Sequence, residues 1–194
     1  MDKEFFIQYS NQTNIDYLSF NRRGFSSLDV GIYITKDTSD FLNLFISNVF
    51  HFPVYFVLEE LPLLENGTKL LEELGIEYEI EKNKKEWIII KVENEVHLNA
   101  VITETIRVVT MGFRTIVIKG DSIDFTQLLS VGERNKAFHL NNTLEMQIST
   151  IIDLYEVGFT FHTNNEKLDT PYKLLNYMPK NYKLDEFNSD LDIK

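Results

Sequence analysis

The chain contains no cysteine among its 194 residues. Disulfides, thiolate nucleophiles and zinc sites built on sulfur are therefore excluded. Long apolar runs are missing too: stretches such as Trp87 to Ile90 fall far short of the ~20 residues a membrane-spanning helix needs. The opening Met-Asp-Lys-Glu-Phe-Phe places acid before any apolar run, unlike a secretory signal. A cytoplasmic location with no membrane association is the expectation. Asn-x-Thr triplets at Asn11, Asn66 and Asn141 then carry no glycan meaning. Positive charge is scarce: 19 Lys and Arg face 30 Asp and Glu, for a net −11. That balance disfavours nucleic acid, whose phosphates need clustered bases. Alanine occurs only at Ala100 and Ala137, a bias of AT-rich genomes such as those of low-GC bacteria and their phages. Gly-x-Gly-x-x-Gly, phosphate loops, Gly-x-Ser-x-Gly and His-Glu-x-x-His are all absent, so no catalytic residue, metal or cofactor is expected.

What is present is the composition of a folded protein. Hydrophobic residues make up 43% and charged residues 25%, close to the globular average. A chain of this length buries roughly 70% of its unfolded surface without covalent staples. A single domain over 1–163 is expected. A polar extension over 164–194 follows, its last ten residues frayed.

Periodicity sets out the elements. Glu4 to Tyr9, Ile15 to Asn21 and Val30 to Thr35 read as strands, the first two pairing as a hairpin. Asp37 stands as an N-cap before Phe41, Leu42, Phe45, Ile46 and Val49 at helical spacing. Val54 to Leu58 is a short apolar strand. Pro62 to Leu74 is helical and Gly75 sits at its C-terminal cap position. Ile76, Tyr78 and Ile80 alternate with Glu77, Glu79 and Glu81, the period-two signature of a half-buried strand. Trp87 to Val92 runs back against it. Glu95 to Met111 reads as a helix ended by Gly112, and Arg114 to Lys119 as a buried strand. Ile123 to Val131 reads as a short helix. Asn142, with Glu145 three residues on, opens a further helix to Tyr155. Phe159 to His162 is a last strand, and Pro171 to Met178 a helical turn or two.

The order from 54 to 119 is strand, helix, strand, strand, helix, strand. It predicts an α+β fold with a ferredoxin-like βαββαβ core, N-terminal strands and C-terminal helices. The alternative is a three-layer α/β sandwich with 30–35, 54–58 and 114–119 as parallel neighbours.

Charge is the most local signal. Residues 59–104 hold twelve acids and five bases. Glu77, Glu79 and Glu81 face one way along a strand, and Glu72 and Glu73 end the helix before it. Carboxylates about 7 Å apart along one face repel unless something answers them. Either Lys82, Lys84 and Lys85 screen a solvated face, or a basic protein docks there.

The histidines, His51, His97, His139 and His162, form no ligand pair at His-x-His or His-x-x-x-His spacing. Gly120-Asp121-Ser122-Ile123 resembles the nucleophile block of the Gly-Asp-Ser-Leu esterases. The downstream Asp-x-x-His those enzymes need is missing, so a capped turn is the plainer reading. Arg22-Arg23-Gly24 is a basic loop whose guanidinium forks suit phosphate or carboxylate.

The expectation is a non-catalytic acidic protein-binding module, of the immunity, inhibitor or anti-defence kind. It docks a basic protein through Glu72, Glu73, Glu77, Glu79 and Glu81. The alternative is a small anion-binding domain or enzyme using Arg22, Arg23, Asp121 and Ser122. A third reading is a homo-oligomer joined through the aromatic segment 41–56.

Overall fold

A computed structural model describes residues 4–11, 18–19, 24–34, 38–59, 64–83, 85–113, 115–120, 129–131, 138–140, 148–186 and 188–190. They form a mixed α+β fold with a nine-stranded sheet and four helices. The strands are β1 (Glu4–Tyr9), β2 (Leu18–Ser19), β3 (Ser26–Gly31), β4 (Val54–Glu59), β5 (Tyr78–Asn83), β6 (Lys85–Val92), β7 (Thr115–Gly120), β8 (Leu129–Val131), β9 (Phe138–Leu140), β10 (Ile148–Tyr155), β11 (Gly158–Thr163) and β12 (Lys183–Leu184). The helices are α1 (Ser39–Val49), α2 (Leu64–Glu73), α3 (Glu95–Thr110) and α4 (Pro171–Leu175). The large sheet runs β12-β1-β3-β11-β10-β7-β4-β6-β5, and a small one runs β2-β9-β8. Every neighbour pair in the large sheet is antiparallel except β1 with β12.

One face of the large sheet carries the core. Leu28 and Val30 of β3, Phe56 of β4, Ile88 and Ile90 of β6, and Phe159 and Phe161 of β11 meet α1 and α3 there. From α1, Phe41 and Phe45 enter a ring cluster with centroids 6.5 Å (Phe41–Phe159), 5.0 Å (Phe45–Phe159) and 5.8 Å (Phe45–Phe161) apart. Such tilted and edge-to-face pairs add about 0.5–1.5 kcal/mol each beyond their buried area. Phe41, Phe45, Phe50, Tyr55 and Phe56 are all buried. The aromatic segment is therefore largely core, with Phe52 partly buried. In α3, Asn94 caps the helix by accepting from the His97 amide at 3.0 Å.

Several expectations are corrected. The three-layer alternative fails because β4 and β7 are antiparallel neighbours and β3 lies elsewhere in the sheet. All six residues of β4 are buried. A strand buried on both faces reads as a continuous apolar run whichever way its neighbours point. The expected helix from Asn142 to Tyr155 is strand β10 over Ile148–Tyr155, paired with both β7 and β11, and its start at Asn142 and Glu145 lies outside the described residues. Its run Ile148, Thr150, Ile151, Ile152 is β-branched, which favours strands. Its two buried faces erase the period-two pattern, so helical spacing arose by coincidence. Of the expected C-terminal helices only α4 is present among the described residues. Of the expected helix 123–131, residues 123–128 lie outside the described residues and 129–131 form strand β8. β2 pairs in parallel with β9, not back on β1. The third strand lies at Ser26–Gly31, earlier than expected.

The segment after residue 163 folds onto the same core: Leu168, Leu174, Met178 and Tyr182 are buried in it. Beyond β12 the chain stays tied to β1. The Asp185 amide donates to the Phe5 carbonyl at 2.8 Å and the Asp190 amide to that of Ile7 at 2.9 Å. The Ile7 amide donates to Ser189 Oγ at 3.1 Å and the Tyr9 amide to Asp190 Oδ2 at 3.0 Å. One edge of the large sheet is thereby covered. At the opposite edge, β5 is the last strand.

Candidate functional site

The acidic edge is built by α2, a tight turn and β5. After Glu72 and Glu73 the helix ends at Gly75, whose φ of +66° suits glycine. The Ile76 amide then donates to the Leu71 carbonyl at 2.8 Å, so Ile76 enters the core and the chain reverses into β5. Register fixes the faces. Tyr78 and Ile80 lie opposite Ile90 and Ile88 and pack on the core, while Glu79 and Glu81 lie opposite Ile89 and Trp87 on the other face. Glu77 joins that row, since the Lys91 amide donates to its carbonyl at 2.9 Å.

The base that answers this row is Lys91, from β6. Its Nζ lies 2.9 Å from Glu77 Oε2 and 3.0 Å from Glu93 Oε1. Hydrogen bonds to these two carboxylates hold the ammonium pKa well above its usual range. Of the expected screening lysines, Lys82 stands opposite Glu86 and Lys85 opposite Asn83 in the strand register, their side chains lie outside the description, and Lys84 lies outside the described residues. Lys91 was legible in principle, because it follows Trp87 and Ile89 at period two. Glu72 accepts from the Tyr78 hydroxyl at 2.9 Å, which raises the phenol pKa. Glu73 lies 3.9 Å from Lys69 with both side chains exposed, a contact of little energetic weight. The side chain of Glu81 is outside the description.

Backbone alternation decides what β5 presents. The bond from Lys91 to Glu77 makes that pair a hydrogen-bonded one. Hence residues 79, 81 and 83 also face β6, and the amides and carbonyls of Tyr78, Ile80 and Lys82 point outward. Among the described residues no further strand of the sheet meets them.

The alternative site residues Arg22, Arg23, Asp121 and Ser122 lie outside the described residues. Their flanks are placed. Gly24 precedes β3 and Gly120 ends β7, and the register through Ser26–Thr163, Thr163–Thr150 and Ile148–Gly120 puts both at the same end of the sheet. They stand three strands apart, roughly 14 Å by strand spacing.

His162 is 1% exposed, and its Nδ1 lies 2.8 Å from Ser27 Oγ across β11 and β3. It is a core histidine with a hydroxyl partner. Among the described residues no three His, Asp or Glu side chains converge as a metal would require. No helix among them is long and apolar enough to cross a membrane.

A concave feature escaped sequence reasoning. A cleft of about 590 Å³ opens where β1 begins and β3 ends, lined by Phe6, Gly31, Tyr33, Val157, Tyr182 and Asp185 among others. The Phe6 ring lies against Gly31, its Cε1 and Cζ occupying the place a Cβ would take. The Tyr182 hydroxyl donates to Asp40 Oδ1 at 2.5 Å, and burial together with that bond raises its pKa. These residues come from four separate stretches of chain, and no local spacing announces their meeting.

No protein-family model matches the chain, and neither a curated protein nor a solved structure is significantly similar to it.

Proposed function

We propose that this chain is a non-catalytic binding module for a basic protein partner, which adds a strand at β5, the last described strand at its edge of the sheet. The asymmetry of the sheet carries the reading. The β1 edge is capped by β12 and the 185–190 segment, whereas β5 ends the sheet with outward amides and carbonyls beside a row of glutamates. Natural proteins cover or blunt such edges, and an open one is a template for an extended partner. Glu77, Glu79 and Glu81 favour lysine and arginine on that partner, whereas Glu72 is held by the Tyr78 hydroxyl on the core side of the strand. The net charge of −11 steers such a partner inward. An immunity, inhibitor or anti-defence role fits this chemistry. The order β7-β4-β6-β5, with α2 and α3 as its connections, supports a ferredoxin-like core behind that edge.

The test uses a synthetic extended peptide alternating lysine and valine, titrated calorimetrically at low and high salt. Binding that weakens with salt, is lost on N-methylation of the peptide backbone, and falls at least tenfold in Glu77→Lys/Glu79→Lys/Glu81→Lys supports strand addition. Absence of binding, or equal affinity for the N-methylated peptide, removes it.

The anion-binding reading keeps one supporting observation: the flanks of both loops share one end of the sheet. Titration of phosphate against Arg22→Ala/Arg23→Ala tests it, and equal affinity in variant and parent sinks it.

A further inference from the structure

The cleft at the β3 end is distinct from the β5 edge, which is six strands from β3, roughly 30 Å by strand spacing. We propose that it binds a small organic cation, an apolar body carrying an ammonium group. Its volume of about 590 Å³ lies within the range of small-molecule sites. Phe5, Phe6 and Ile32 give it an apolar lining, to which Tyr33, 70% exposed, and Val157, 50% exposed, also contribute. Exposed aromatic rings bordering a cavity offer their faces to a cation.

The charged groups among the described lining residues favour a cation. Glu4 and Asp185 line the cleft, and no Lys, Arg or His is among its described lining residues. Asp185 is held in place, its Oδ1 accepting from the Asn188 amide at 3.3 Å and its Oδ2 from Asn188 Nδ2 at 2.7 Å. Glu4 meets Lys183 at 3.3 Å at the rim, with both side chains about half exposed or more. That pair is open to exchange with an incoming ammonium. An anionic ligand would meet two carboxylates on apolar walls, and a neutral one would leave them unused. Gly31 is what allows this lining: a Cβ there would stand 2.0 Å from Phe6 Cε1 and lift the ring into the cavity.

Three probes sharing one body separate the outcomes: tryptamine, 3-methylindole and indole-3-propionate, followed by ligand-observed NMR and calorimetry on the full chain. Tryptamine is expected to bind at least tenfold more tightly than 3-methylindole, with no binding of the propionate. Asp185→Asn or Glu4→Gln should remove that tenfold preference and leave 3-methylindole unaffected. Tyr33→Ala, at an exposed position where folding is not at stake, should weaken tryptamine several-fold. Equal affinity for all three probes, or no tryptamine binding at millimolar concentration, overturns the proposal. So does tryptamine affinity unchanged in Asp185→Asn, Glu4→Gln and Tyr33→Ala. Glu77→Lys/Glu79→Lys/Glu81→Lys should leave tryptamine binding untouched, so the β5 edge and the cleft fail or stand separately.

Discussion

Three glycine-to-alanine substitutions separate two costs that usually come mixed. Gly75 has φ +66° and no neighbouring heavy atom within 4 Å of a Cβ built on it. Its replacement carries the left-handed penalty alone, about 1–2 kcal/mol, offset in part by the stiffer unfolded chain. At Gly31 the cost is contact: the new Cβ would lie 2.0 Å from Phe6 Cε1 and 2.6 Å from Cδ1. The ring must swing aside, an overpacking cost of about 1–3 kcal/mol. Gly158 has both. Its φ is +143°, and a Cβ would stand 2.1 Å from the Val30 carbonyl oxygen and 3.1 Å from the Gly31 Cα. Those atoms are the backbone of β3, which is held on both sides by β1 and β11 and cannot swing. Strain of about 1–3 kcal/mol then adds to overpacking of similar size, for about 2–6 kcal/mol of a total stability of about 5–15. With a urea slope of about 2 kcal/mol per molar, G75A should move the unfolding midpoint by about 0.5 M and G158A by about 1–3 M. A G158A midpoint no lower than that of G75A refutes the claimed closeness of β3 and β11 there. A Phe6→Ala background should nearly abolish the cost of G31A, because the clashing ring is gone. An unchanged cost rejects the ring as its cause.

Phe45→Ala removes a fully buried ring that meets Phe159 and Phe161. It should cost about 3–5 kcal/mol by chemical denaturation, and a loss under about 1 kcal/mol would place Phe45 outside the core. Truncation after Tyr182 takes away β12 and the bonds of Asp185, Ser189 and Asp190 to β1. Light scattering should then show self-association, and a monomer of unchanged stability would mean the β1 edge needs no cover. Burial raises the phenol pKa values of Tyr55, Tyr155 and Tyr182, with the bond to Asp40 adding at Tyr182. Each holds its proton more tightly folded than unfolded, so their contribution is full below about pH 10 and is lost as pH rises through the folded values. Stability should decline above about pH 10, less steeply in Tyr182→Phe, and a flat alkaline limb contradicts the burial of these hydroxyls.

Local chemistry alone determined much of this protein. Asn94 before α3, Gly75 after α2, and the alternation of Tyr78 and Ile80 with glutamates each act within a few residues, so α2, α3, β5 and β6 were readable in the chain. The burial of the 41–56 aromatics followed from their helical spacing and number. The acidic row was legible by the same rule, since a strand sends alternate side chains to opposite faces. Strand direction and long-range pairing were decided only by the tertiary structure. β4 and β10 are buried on both faces, and a continuous apolar run carries neither a direction nor a reliable period. That is why a parallel arrangement looked open and a helix was expected over β10. Lys91 answers Glu77 through strand register across fourteen residues. The cleft joins β1, the end of β3, the β10–β11 turn and the stretch around Tyr182. Such a meeting depends on the whole sheet closing, so no local pattern could announce it.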